Sequence, residues 1–148
     1  MNIVFLTTLN PYDINNWSGT TYHLLQTLSR KHHVKVIGQN TLSQTAYYIK
    51  DNFSKKHLLD KFGELYAEQM SGSDLIFFGD LYLASFLEVN IPMVHLSDVT
   101  YHSFKDYSEM KRSKEQIKRT EALEKKVLQK YTTIIYSSEW TKQNTIDY

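Results

Sequence analysis

Short apolar runs alternate along the chain with segments that have the spacing of helices. The first run, Asn2–Thr7, is continuous and rich in β-branched residues, which predicts a strand covered on both faces. After a polar loop, Thr20–Leu28 has the apolar spacing of a helix, with Ser18 as its N-cap, and His33–Gly38 reads as a second strand. A strand, a helix and a strand within about 40 residues predict a right-handed crossover between parallel strands.

The same alternation continues to the end of the chain. Three further strands are predicted, at Asp74–Gly79, Pro92–Leu96 and Thr132–Tyr136. Helices are predicted at Thr45–Met70, Asp80–Val89, Ser113–Lys130 and Glu139–Tyr148, the last of them capped by Ser138. The pattern predicts an α/β fold of the Rossmann-like type, a doubly wound parallel sheet with helices on both faces.

Composition narrows the function classes. The 148 residues are the usual size of one domain, so we expect a single domain over residues 1–148. The net charge of +1 gives the chain no strong positive electrostatic field to attract nucleic acid, and we expect no such partner. Cysteine is absent, which fits a reducing compartment, and no apolar run is long enough to span a bilayer. We therefore expect a cytoplasmic protein.

The last predicted helix runs to Tyr148, the final residue. A parallel sheet of this kind is normally continued by another strand or by a second domain. We therefore expect one or the other to follow in the natural protein.

Candidate ligand-binding residues lie in the loops that follow the strands, because open parallel sheets bind ligands beyond the carboxyl ends of their strands. The residues that this rule selects for a cleft are Asn10, Trp17, Asp80, Ser97, Asp98, Thr100, His102 and Glu139, together with Ser18, Gly19 and Thr20 at the start of the first helix.

Two of these positions have specific chemistry. Gly19 at a helix start lets a ligand approach backbone N–H groups, and the helix dipole favours a phosphate beside Ser18 and Thr20. The alternative is an ordinary helix capped by Ser18. Asp98 directly follows a buried strand, where it can accept a proton, bind a sugar hydroxyl or cap the next helix.

Metal chemistry has little support in the sequence. The six histidines do not show the spacing of metal ligands, so we expect no metal cofactor. His95 alternates within a strand and is typical of a hydrogen-bonded core histidine, whereas His102 is better placed for function. The sequence contains no nucleophile elbow, no phosphate-binding P-loop and no zinc-protease helix.

The segment Lys111–Lys130 is rich in basic residues interleaved with glutamates. Most such helices are solvated surfaces laced by ion pairs three or four residues apart. A weak contact with a membrane surface is the other interpretation.

Taken in order, these segments resemble the N-terminal domain of the retaining group 1 glycosyltransferases of the GT-B fold. The matching segments are Ile3–Thr7, Ser18–Leu25, Ile91–Asp98, Glu124–Tyr131 and Thr133–Trp140, which span nearly the whole chain. The more specific parts are Ser97-Asp98-Val99-Thr100 and Ile134-Ile135-Tyr136-Ser137-Ser138-Glu139-Trp140.

The resemblance implies a concrete activity. Two Rossmann-like domains face each other across a cleft; the C-terminal domain of the same protein grips a nucleotide-sugar donor, and the N-terminal domain supplies the acceptor site. The glycine loop after the first strand, here Ser18, Gly19 and Thr20, approaches the donor diphosphate. Sugar transfer retains the anomeric configuration without a metal, and the acceptor is unidentified.

The resemblance also assigns roles to single residues. Where many members have a pair of glycines, this chain has Ser18 before Gly19. Where many members have a histidine near the reacting sugar, six residues after the strand-four proline, this chain has Asp98, which becomes the catalytic candidate. Glu139 would bound the acceptor site. The competing hypothesis is a non-catalytic α/β binding or interaction module.

Overall fold

The computed structural model describes residues 1–38, 63, 66–78, 84–85, 87–104 and 113–147. Its strands are β1 (Asn2–Leu6), β2 (His33–Ile37), β3 (Leu75–Phe78), β4 (Met93–Ser97) and β5 (Thr133–Tyr136). Its helices are α1 (Thr20–Ser29), α2 (Tyr101–Phe104), α3 (Lys114–Leu128) and α4 (Glu139–Ile146), and residues 66–70 are also helical.

The described strands form one sheet in the order β2-β1-β3-β4-β5, and every neighbouring pair is parallel. The chain passes from β1 outward to β2 and then returns to place β3 on the other side of β1. The direction of winding therefore reverses between β1 and β3, which is the position where doubly wound sheets open a crevice for ligands. The predicted Rossmann-like α/β fold is confirmed.

The two faces of the sheet are buried by different helices. Alternate residues of a strand point to opposite faces, so Ile3 and Phe5 pack on one side with Leu25 of α1. Val4 and Leu6 pack on the other side, in a larger cluster that contains Val127 of α3. Ile3, Val4, Phe5 and Leu6 are each 2% exposed or less, which explains why the run is apolar without alternation.

α3 illustrates how local sequence sets a helix boundary. Ser113 Oγ accepts the backbone N–H of Gln116 at 3.2 Å, and Gln116 Oε1 accepts that of Ser113 at 2.9 Å, which is a complete capping box. The helix then runs to Leu128, two residues short of the predicted end. Its stripe formed by Ile117, Leu123 and Val127 is half-buried or buried, as its spacing predicts.

Some predicted helices lie largely outside the described residues. Of Thr45–Met70, the structure describes residues 63 and 66–70, and these are helical. Of Asp80–Val89, Ala84 is helical, whereas residues 87–89 are not, so the prediction of a helix reaching Val89 is wrong. Pro92 follows closely, and the segment instead runs into β4.

His95 is a core residue of β4, as its alternation predicts. The ring is 4% exposed and stacks on Tyr131 with the ring centroids 5.0 Å apart. Nδ1 lies 3.3 Å from the backbone carbonyl of Phe78, and since a carbonyl only accepts, Nδ1 carries the proton. Desolvation by burial lowers the pKa of His95 to about 4, against the smaller opposing effects of the Phe78 carbonyl and the Asp98 charge.

The buried neutral imidazole should make stability depend on pH. The unfolded chain binds a proton at His95 below its ordinary pKa of 6.5, whereas the folded chain does so only near pH 4. The stabilisation is complete above pH 6.5 and is lost as the pH falls toward 4, by roughly 3 kcal/mol. Urea unfolding of the wild type and of His95→Phe at a series of pH values measures it, because other groups cancel in the difference. A difference between the two that stays constant from pH 7 to 4 would contradict this assignment.

Candidate functional site

The site predicted from the sequence lies at one edge of the sheet, because the carboxyl ends of parallel strands share an edge. The described part of that edge consists of the loops after β1, β4 and β5. Asp80, predicted as a cleft residue after β3, lies outside the described residues.

The loop after β1 is held in shape by its own polar side chains. Asn10 Oδ1 accepts the backbone N–H of Tyr12 at 3.0 Å, and Asp13 Oδ1 accepts that of Asn15 at 2.9 Å. Such bonds to the residue two positions on are typical of Asn and Asp in turns. The carbonyl of Asn10 also accepts the side-chain amide of Asn16 at 3.0 Å. Asn10 therefore shapes the exposed loop that leads to the start of α1.

The loop ends in three consecutive residues with left-handed backbone. Trp17 has φ 46° and ψ 47°, Ser18 has φ 53° and ψ 32°, and Gly19 has φ 81°. For a residue with a side chain this conformation costs about 1–2 kcal/mol, so two of the three positions are strained. At Gly19 a Cβ atom would lie 3.3 Å from both the His23 ring and the backbone oxygen of Ile14. Of the three left-handed positions, only the last is occupied by glycine, which adopts this backbone without strain.

The prediction that Ser18 caps α1 is wrong. The N-cap position belongs to Gly19, which has no side chain to cap the helix. A capping serine needs extended backbone at the N-cap, whereas Ser18 lies one residue earlier in left-handed backbone. α1 therefore begins without an N-cap side chain, and the N–H of Thr20 donates to the carbonyl of Trp17.

Trp17 and Asp98 are in direct contact. The indole Nε1–H donates to Asp98 Oδ2 at 3.0 Å, across 81 residues of sequence. A hydrogen bond to a charged acceptor is worth about 1.5–3 kcal/mol, which is enough to offset the strain of one left-handed residue. The bond joins the loop after β1 to the exit of β4.

The backbone of Asp98 is held from the other side by β5 and α4. Thr141 Oγ1 donates to the carbonyl oxygen of Asp98 at 2.6 Å, and Thr141 is fully buried. Ser138 caps α4, as predicted, by accepting the N–H of Thr141 at 3.1 Å. The N–H of Ser137 donates to the carbonyl of Ser97 at 3.0 Å, which extends the β4–β5 pairing up to the site.

Thr100 starts α2, the short helix that follows Asp98. Its hydroxyl oxygen accepts the N–H of Ser103 at 3.2 Å, so Thr100 and not Asp98 caps that helix. This excludes the capping role for Asp98 that local sequence left open. Thr100 is 1% exposed, so its hydroxyl serves α2 within the protein interior.

α3 supplies two carboxylates to α2. Glu124 is buried, and its oxygens accept the N–H of Tyr101 at 2.7 Å and that of His102 at 3.4 Å. A carboxylate at this position also complements the positive end of a helix. Glu121 Oε1 pairs with Nδ1 of His102 at 2.9 Å. His102, predicted as a cleft residue, therefore fastens α2 to α3 and keeps its side chain about half exposed.

The remaining predicted residues occupy the periphery or the interior. Glu139 lies in the exposed first turn of α4 and pairs with Lys142 at 2.7 Å. Ser97 is buried, and its hydroxyl donates to the carbonyl of Val99 at 3.3 Å. Glu139 thus lies exposed at the rim of the site, whereas the Ser97 hydroxyl bonds to the backbone of the loop that follows β4.

Sequence reasoning missed Thr141 and Glu124. Thr141 gave no local signal, because its partner lies 43 residues away. Glu124 did give one: it continues the apolar spacing of Thr120, Val127 and Tyr131, so helical periodicity places it on the buried face. The charge pattern of Lys111–Lys130 indicates the opposite, because it groups Glu124 with the glutamates of a solvated surface.

The start of α1 has the features of an anion site. The hydroxyl of Thr21 is buried and has no hydrogen-bond partner among the described residues. The ring of His23 lies beside Gly19. The N–H of Thr20 donates to the carbonyl of Trp17, and the positive end of the helix dipole at this position favours an anion.

The described part of the chain contains no group of three His, Asp or Glu side chains that could hold a metal ion. It also contains no helix long and apolar enough to cross a bilayer.

Comparisons with known proteins found no matching protein-family model, no matching curated protein and no matching solved structure.

A pair of substitutions tests the left-handed turn. Gly19→Ala should destabilise the protein by about 1–2 kcal/mol, because Cβ strains this backbone and crowds the Ile14 carbonyl. Ser18→Gly should be neutral or stabilising by up to about 1 kcal/mol, because it removes strain at an exposed position. Free energies of unfolding in urea measure both. Equal losses for the two variants would argue against the turn as described.

Proposed function

We propose that the chain is the acceptor-side domain of a retaining GT-B glycosyltransferase, which transfers a sugar from a nucleotide-sugar donor to an acceptor hydroxyl. The proposal starts from the resemblance of the strand-exit segments to that family. It adds that the nucleotide would be held chiefly by a second, C-terminal domain of the same protein.

The observation that carries the proposal is the contact between Trp17 and Asp98. The resemblance assigns the donor diphosphate to the loop at Gly19 and the reacting sugar to the exit of β4. A glycosyl transfer needs those two regions side by side, since the bond that breaks joins the sugar to the diphosphate. The indole of Trp17 brings them within one hydrogen bond of each other.

On the donor side, Ser18, Gly19 and Thr20 would receive the diphosphate. The support is chemical: the N-cap of α1 is a glycine, so no capping side chain competes with an anion at this helix start, where the helix dipole is positive. The buried hydroxyl of Thr21 and the ring of His23 are further polar groups at this helix start.

On the sugar side, Asp98 would contact a hydroxyl of the transferred sugar. During transfer, the bond from the anomeric carbon to the diphosphate oxygen breaks and a bond to the acceptor oxygen forms, while the acceptor hydroxyl gives its proton to the departing diphosphate. Asp98 is exposed at the edge, and its backbone is fixed by Thr141, so its position is set before a ligand arrives. Asn10, Trp17 and Glu139 would line the acceptor side.

The proposal extends to location and to a weaker partner. We place the protein in the cytoplasm, where nucleotide sugars are made, and allow it a peripheral contact with an anionic membrane. The exposed basic residues of α3 that support such a contact are Lys114, Lys118, Arg119, Lys125 and Lys126. Arg119 is already paired with Glu115, so the attraction would be weak.

The proposed function is tested with the full-length protein that contains this domain. A panel of nucleotide sugars is screened for release of nucleoside diphosphate, with water as the surrogate acceptor. We expect release from one donor class, and a fall in its turnover of about tenfold or more for Asp98→Asn. The amide keeps the size of the side chain and removes the charge.

Asp74→Asn is the matched control. Asp74 is an exposed carboxylate at the opposite edge of the sheet, where it accepts the N–H of Asn2 at 2.7 Å, and an amide oxygen can replace it. Turnover by Asp74→Asn should equal that of the wild type. Release of no nucleoside diphosphate from any donor would favour the non-catalytic module, and an equal loss in both variants would remove Asp98 from the reaction.

A further inference from the structure

We propose that Trp17 is a positioning residue for Asp98: its indole N–H fixes Oδ2 of the carboxylate so that Oδ1 faces the sugar substrate. The inference rests on the proposed function, in which Asp98 contacts the transferred sugar, and it assigns to Trp17 a role beyond lining the cleft.

The contact leaves one carboxylate oxygen available. Within the described residues, the side chain of Asp98 accepts one hydrogen bond, on Oδ2 from Trp17, and its Oδ1 accepts none. Asp98 is exposed, so a ligand at the carboxyl edge can reach it. One oxygen is therefore held by the protein and the other is left for a hydroxyl group.

Trp17 fixes the side-chain torsions of Asp98, which no other described contact fixes. Thr141 binds the carbonyl oxygen of Asp98 and so fixes the backbone. That bond leaves the carboxylate free to rotate about its side-chain torsions. The bond from the indole selects one rotamer, and a preset rotamer is what a substrate-contacting carboxylate requires.

The chemistry of the indole suits this task. Its nitrogen only donates, whereas a hydroxyl or amide side chain could turn an acceptor toward the carboxylate. The indole N–H can therefore only donate to Oδ2, and it offers no acceptor that would compete with Asp98 for a substrate hydroxyl.

The backbone at Trp17 points to the same role. A bulky residue with φ 46° is unusual, because glycine adopts this conformation without strain. The left-handed turn therefore does not itself explain a tryptophan at this position. The contact with Asp98 does, and strained backbone that aims a side chain is common at functional sites.

The first test reads the contact without any assay of activity. The 148-residue chain has two tryptophans, so a ¹⁵N–¹H correlation spectrum shows two indole signals, and Trp140→Phe identifies them. In Asp98→Ala the Trp17 indole proton should move upfield, because it loses a charged acceptor, and the Trp140 signal should stay. A Trp17 signal that does not respond to Asp98→Ala overturns the proposal, and this readout needs no substitution of Trp17.

The second test uses nucleoside diphosphate release by the full-length protein. Trp17→Phe keeps an aromatic ring and removes the donor, so kcat should fall about tenfold with KM nearly unchanged. In the Asp98→Ala background, the same substitution should cause no further fall. Melting temperatures of all four proteins show whether each is folded.

The outcomes separate the two proposals. An equal effect of Trp17→Phe in both backgrounds means that Trp17 acts independently of Asp98, which overturns the positioning role and leaves the proposed function standing. A rise in KM alone does the same, since it assigns Trp17 to ground-state binding. Absence of release by the wild type overturns the proposed function and the positioning role together, while the spectrum still reports the contact.

Discussion

β1 is covered on both faces and paired on both edges, and the positions of the other elements follow from that burial. Ile3, Val4, Phe5 and Leu6 are all 2% exposed or less, with β2 on one side and β3 on the other. A strand buried in this way has no solvated face, so helices must cover both sides of the sheet. Its exit then lies within the sheet edge, at the second of the five described strands, beside the point where the winding reverses.

The position of the β1 exit within the sheet edge explains why the candidate site is assembled from distant parts of the chain. The loop after β1 can reach the exit of β4 only because one strand separates them in the sheet. Trp17 crosses that gap to Asp98 and adopts strained backbone in doing so. Thr141 approaches Asp98 from the β5 side. Asp98 is therefore held at its carboxylate by the loop after β1 and at its backbone by α4.

α3 stabilises the same region through two glutamates that bond to α2. Glu124 is buried on the stripe that faces the sheet, and its carboxylate receives the first N–H groups of α2. Glu121, one turn earlier, pairs with His102. A buried carboxylate is costly unless it is well bonded, and here the start of a helix supplies the donors. α2 is too short to be stable by itself, so these contacts fix the chain just beyond Asp98.

Local chemistry in the sequence determined the sheet and most helix boundaries. The apolar run of β1, the capping box at Ser113 and the cap at Ser138 depend on near neighbours, and all three could be predicted. The same reasoning selected Trp17 and Asp98 separately, since each follows a strand. Their contact, the left-handed turn at Ser18 and the bonds from Glu124 to α2 were decided by tertiary structure. Each depends on a partner in another element, and only the folded sheet brings those partners together.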